Sequence, residues 1–195
     1  MKKVYMHFLL YVFLLMTNVA CGQVNNSSYE RLRDKNKVAK TDTPSVQHTE
    51  NDYQKLGDKY SAAGAFSKAV EAYSLAIQVN PDFLSAYIER ALCYQKMSYY
   101  TKAVKDLKLV IEKDKEHSIA YNNLGNVYYE MGAPLKAIKS FNKTIELSPN
   151  YNKAYYNRGY VYNDLGKKAK ACADWKKATS LGHIKAPEML AKYCK

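Results

Sequence analysis

The chain has 195 residues, 47% of them hydrophobic and 25% charged, with 30 Lys+Arg against 18 Asp+Glu and a net charge of +12. That is enough for one domain with a sizeable core plus a tail. The basic excess does not mark a nucleic-acid binder, because the lysines alternate with acids and Arg is scarce. From Gly166 onward there are eight Lys against Asp174 and Glu188, so the excess gathers at the C-terminal end. It reads either as a solvated lysine surface or as attraction to an acidic partner or an anionic membrane face.

The N-terminus reads as an address. Met1-Lys2-Lys3 is a basic start, Val4 to Val19 is apolar apart from His7, Thr17 and Asn18, and Ala20-Cys21-Gly22 follows. Residues 1–22 therefore have the form of a secretory signal peptide, short and poorly flanked for a membrane-spanning helix, with an uncleaved anchor as the remaining alternative to the two cuts that follow. Cleavage before Cys21 resembles processing of a bacterial lipoprotein, with lipidated Cys21 attaching the chain to a membrane. Cleavage after Gly22 leaves Gln23 as a free N-terminus. Either cut places the mature protein outside the cytoplasm, as a periplasmic or membrane-anchored lipoprotein or as a secreted protein. Residues 23–49 are rich in Asn, Ser, Lys, Arg, Thr and Asp, lack a helical apolar stripe, and read as a flexible tether.

From residue 50 the chain repeats itself. Tyr53, Tyr87, Tyr121 and Tyr155 are spaced by 34, as are Tyr60, Tyr94, Tyr128 and Tyr162, and Ala69, Ala103, Ala137 and Ala171. A fixed period of this length marks a solenoid built from one repeated unit. The register resembles the tetratricopeptide repeat, a helix-turn-helix of 34 residues. The resemblance implies an all-α, right-handed α-solenoid of four helix pairs over residues 50–83, 84–117, 118–151 and 152–185.

Repeat one places Gly57 and Ala69 where its two helices cross, with Gly64 at the turn and Pro81 after the second helix. Repeat two departs most from the pattern. Arg90 stands in place of the usual Leu, Leu107 in place of an aromatic, Lys115 in place of Pro and Ser98 in place of the turn Gly, so its boundaries are expected to be the least regular. Repeat three is the cleanest copy, with Gly132 at the turn and Pro134 in the first turn of its second helix. Repeat four carries Gly159, Trp175 and Gly166 in the matching places. Residues 185–194, with Pro187 near the start and Met189, Leu190 and Tyr193 on one face, predict a capping helix over the last uncovered apolar side.

Cys172 lies nine residues before Leu181 and Cys194 nine after Lys185. If the last repeat helix and the capping helix run antiparallel, the two thiols come side by side, and an oxidising compartment favours a disulfide. The alternative is two independent buried thiols. Cys93 reads as a small core residue.

In the tetratricopeptide family the first helices of successive repeats line a groove. The resemblance puts Asn122, Asn126 and Tyr129 of repeat three and Lys153, Tyr156, Asn157 and Tyr160 of repeat four on that face. The Asn amides suit the backbone of an extended peptide, the Tyr rings offer flat contact, and Lys153 with Arg158 adds charge for an acidic group. Alternatively, these Asn hold helix ends and these Tyr pack repeats together. Some family members clamp a peptide C-terminus with Lys, Asn, Asn, Lys and Arg. Asn126 and Asn157 match the two Asn, but Asn122 stands where the first Lys belongs, so that clamp is not expected here.

The four His residues are His7, His48, His117 and His183, and they do not converge. There is no His-Glu-x-x-His, Gly-x-Ser-x-Gly or phosphate-binding Gly loop. The reading is a non-enzymatic protein-binding module with no cofactor or metal, an adaptor or assembly factor. The alternatives are a structural subunit of an envelope complex and a cell-wall or carbohydrate contact.

Overall fold

Each repeat alternates two apolar stripes with a short turn between them, so each folds as a helical hairpin. The computed structural model describes residues 48–195. The signal-peptide reading of residues 1–22, Cys21 and most of the tether lie outside the described residues. Nine helices follow in order among the described residues. They are α1 Glu50–Ala62, α2 Phe66–Val79, α3 Leu84–Lys96, α4 Tyr100–Lys113, α5 Ser118–Glu130, α6 Pro134–Leu147, α7 Asn152–Asp164, α8 Lys168–Ser180 and α9 Ala186–Tyr193. No strand occurs among the described residues, and none of their helices is long and apolar enough to cross a membrane.

The start of α1 is capped in both directions. The Thr49 side chain accepts from the Asp52 N–H, and the Asp52 carboxylate accepts from the Thr49 N–H at 2.9 Å. These bonds to the ionised carboxylate hold the Asp52 pKa below its ordinary value. The turn after each first helix needs a left-handed residue. Gly132 supplies it between α5 and α6 with φ +73°. Ser98 takes the same conformation at φ 61° between α3 and α4. Repeat two is therefore not irregular: α3 and α4 have 13 and 14 residues, the same as α1 and α2 and as α5 and α6.

Consecutive helices pack along the whole series, and each first helix also touches the next (α1 with α3, α3 with α5, α5 with α7). This neighbour-only packing is the solenoid architecture. Within a repeat, a glycine on the first helix faces an aromatic ring 16 residues later on the second. Gly57 meets Tyr73, Gly125 meets Phe141 and Gly159 meets Trp175, so close that a Cβ would lie 2.5, 2.6 and 2.6 Å from the ring. Repeat two has Ala91 and Leu107 at those positions, both fully buried. The extra methyl on the first helix is matched by a smaller side chain on the second.

Position 90 is resolved in the same way. Arg90 donates from Nε and Nη2 to the two carboxylate oxygens of Asp106, both at 2.8 Å, and from Nη1 to the Ser74 hydroxyl of repeat one at 3.0 Å. Two repeats on, Arg158 makes the same fork to Asp174 at 2.8 and 2.7 Å and reaches Asn142 of repeat three at 2.6 Å. The carboxylate raises the pKa of each guanidinium against the opposing effect of burial. Repeats one and three have Leu56 with Ala72 and Leu124 with Ser140 in these places. The solenoid thus alternates ionic and apolar pins.

The last repeat is closed by α9. Trp175 is fully buried and donates from Nε1 to the Tyr156 carbonyl at 3.2 Å, while Tyr193 lies 5.6 Å from its ring and Met189 packs against it. The structure joins Cys172 to Cys194 in a disulfide, with Cα atoms 5.7 Å apart.

Candidate interaction groove

The first helices α1, α3, α5 and α7 share one face, and polar bonds between neighbouring helices run along it. Ser85 donates to Gln54 at 2.6 Å and the Cys93 thiol to Ser61 at 3.8 Å, joining α3 to α1. Gln95 donates to Glu130 at 2.7 Å, joining α3 to α5. Asn157 donates to Asn126 at 2.9 Å and to Asn122 at 3.5 Å, and Tyr129 donates to Asp164, joining α5 to α7. Each bond links residues 31 to 35 apart in sequence, so each is a bond between repeats. Of the residues expected on the groove, Asn122, Asn126, Tyr129 and Asn157 take part in these bonds between repeats.

The expected residues fall into three groups. Asn126, Tyr129 and Asn157 are half-buried and lie together on the α5–α7 seam. Asn122 is only 3% exposed and sits beneath them, donating to Asn123 at 3.4 Å. It supports the seam rather than lining it. Tyr156 and Tyr160 are turned towards the cap. Their hydroxyls bond to each other at 3.1 Å, Tyr160 donates to the Met189 sulfur at 3.0 Å, and Tyr156 stacks on His183 at 4.0 Å. A terminal repeat has no following first helix, so α9 and the segment before it take that place. Burial comes first, and the Tyr160 bond second, among the causes raising the Tyr156 pKa well above the ordinary phenol value.

The charge of this face also differs from expectation. Arg158 is committed to Asp174 and Asn142. Lys153 is exposed near His183, whose pKa is lowered by burial and then by Lys153 and Lys185. The first helices also carry carboxylates. Asp58 accepts from the Tyr73 hydroxyl at 2.8 Å, and the Glu89 pKa is raised by burial and then by Asp58. Burial and the Asp164 carboxylate raise Tyr129 to about 12, so it is a neutral donor at physiological pH. Among the described residues no group of three or more His, Cys, Asp or Glu is placed to hold a metal.

Tetratricopeptide-repeat family models match residues 84–117, 118–151 and 153–181. These segments of the chain are tetratricopeptide repeats. Solved structures agree on the fold. A crystal structure of MamA is 28% identical with a TM-score of 0.61, covering 74% of this chain and 81% of that one. A thermophilic tetratricopeptide-repeat protein from Thermus thermophilus, TTC0263, is 23% identical with a TM-score of 0.63, covering 69% and 75%. The first tetratricopeptide-repeat domain of Spaghetti (RPAP3), solved bound to the HSP90 peptide SRMEEVD, is 20% identical with a TM-score of 0.58, covering 60% and 94%. No curated protein matches the chain. Tetratricopeptide repeats mediate protein–protein interaction and are generally non-enzymatic. The 34-residue register of the family runs through all four repeats of this chain, and the Arg–Asp fork occurs in two of them, repeats two and four.

Proposed function

We propose that this tetratricopeptide-repeat protein is a non-enzymatic adaptor or assembly factor, displayed outside the cytoplasm, that binds an extended segment of a partner protein along the face of α1, α3, α5 and α7. The observation that carries this is the α5–α7 seam. Asn126 and Asn157 use one N–H and one carbonyl oxygen on each other. The remaining amide valences of this pair are the donors and acceptors that a peptide backbone needs. Tyr129 adds a ring beside them, with its hydroxyl held by Asp164. Display outside the cytoplasm rests on the signal-like residues 1–22 and on the paired cysteines of the cap, and lipidated Cys21 is the proposed membrane attachment.

The test is pull-down from the native host by the chain and by its Asn126→Ala/Asn157→Ala variant. The double variant should lose a specific partner while keeping its melting temperature within a few degrees. Undiminished recovery of that partner counts against the seam as the binding site.

A further inference from the structure

The repeats differ in one place that bonding within the solenoid leaves unfilled. In repeats two and four, two tyrosines flank a guanidinium. Arg90 lies 5.4 and 5.9 Å from the ring centroids of Tyr87 and Tyr94, and Arg158 lies 5.6 and 5.7 Å from those of Tyr155 and Tyr162. Repeat three keeps the flanking Tyr121 and Tyr128 but has Leu124 and Ser140 in place of the Arg–Asp fork. A pocket of about 420 Å³ opens there, lined by Tyr121, Leu124, Tyr128 and Ser140 and by Lys136, Lys139 and Lys143 of α6. Repeat one also has Leu and Ala at the fork positions, but the places of the three lysines are taken by Lys68, Glu71 and Leu75. Only repeat three couples a missing fork with three cations.

Those cations are mostly outside ion pairs. Among the described residues Lys143 pairs with Glu146 at 2.5 Å, whereas neither Lys136 nor Lys139 has an ion-pair partner. Lys136 leans over the Tyr128 ring at 5.7 Å. Leu124 and Ser140 form a buried floor, 6% exposed each, and the Ser140 hydroxyl is turned back to the Lys136 carbonyl at 3.1 Å. The result is an apolar, aromatic-walled recess under a cationic rim. It lies on a different face of α5 from Asn126 and Tyr129, as the 3.6-residue period requires.

We propose that this pocket is a second binding site, and that it takes the acidic side chains of a protein partner's segment, with carboxylates on the Lys136–Lys139–Lys143 rim and methylenes against Tyr121, Leu124 and Tyr128. The pocket has the size of a small ligand site, which fits a few side chains. Charge complementarity selects carboxylates. Recessed tyrosine walls favour a protein segment over a flat anionic bilayer, which needs no cavity. The site does not depend on the α5–α7 amides, so it stands or falls separately from the groove.

The test is a titration of the full chain with a fluorescent hexaglutamate peptide at low salt, and separately with vesicles containing phosphatidylglycerol. The decisive variant is Leu124→Arg/Ser140→Asp, which installs the fork of repeats two and four, leaves the net charge unchanged and keeps a pairing the fold already uses. Peptide affinity should fall by about tenfold or more in this variant and in Lys136→Gln/Lys139→Gln. It should be unaffected in Lys167→Gln/Lys168→Gln, which removes the same charge elsewhere, and in Asn126→Ala/Asn157→Ala. Three results overturn the proposal: undiminished peptide binding by the filled pocket, an equal loss when Lys167 and Lys168 are changed, or lysine-dependent binding to vesicles but not to peptide. Circular dichroism and melting temperature confirm that the filled variant is folded.

Discussion

Gly125 approaches Phe141 so closely that a Cβ on it would lie 2.6 Å from the ring. Gly125→Ala therefore forces a backbone or ring shift and should cost about 1–3 kcal/mol, read as a lowered urea midpoint. Repeat two shows the remedy, because Ala91 there faces Leu107. Adding Phe141→Leu to Gly125→Ala should recover part of that loss. If the double variant is as unstable as the sum of the two singles, the two positions are not a matched pair.

Arg158 and Asp174 are both largely buried, with side chains 17% and 8% exposed. Arg158→Leu alone strands the Asp174 carboxylate and should cost about 3 kcal/mol or more. Arg158→Leu/Asp174→Ser copies the apolar solution of repeat three and should restore most of that stability. Equilibrium unfolding of the two variants checks this, and a double variant no better than the single would show that the cost lies in lost packing rather than in the stranded charge.

The period of 34 made the helix pairs and their turns readable, because tyrosine, alanine and glycine recur in register. The departures in repeat two were visible as well, but their resolution was not. Arg90 alone reads as a defect, and it becomes a pin only once Asp106 and Ser74 are known to reach it from two other helices. Asn126 and Asn157 were placed on the shared face by register alone. Asn122 carries the same register signal yet is buried, because the depth of a residue in a helix seam depends on its neighbours' side chains. Tyr156 and Tyr160 went to the cap because the docking angle of α9 is set by the Trp175 surface, which no periodicity encodes. The approach of Cys172 to Cys194, with Cα atoms 5.7 Å apart, was legible because it required only that two short helices run antiparallel.

Reduction of that disulfide frees α9. The crosslink spans 22 residues, a loop for which chain entropy gives on the order of 3 kcal/mol. Intact mass should rise by about 2 Da on reduction, the mark of one disulfide becoming two thiols. Hydrogen exchange of residues 186–193 should then accelerate more than that of α1 and α2. No mass change in protein purified under oxidising conditions, or uniform acceleration along the chain, would count against a disulfide that pins the cap.

His183 gives the cap a pH dependence. Its Nδ1 is buried without a hydrogen-bond partner, its ring is stacked on Tyr156, and its pKa is lowered by burial and by Lys153 and Lys185. A histidine with a depressed folded pKa binds fewer protons folded than unfolded. Its stabilising effect is therefore complete above the ordinary histidine pKa and is lost as pH falls through that value towards the folded one. Acidification from pH 7.5 to about pH 5 should lower the melting temperature, and His183→Asn, which cannot titrate, should show a smaller drop over the same interval. Equal drops in the two proteins would place the acid sensitivity elsewhere in the solenoid.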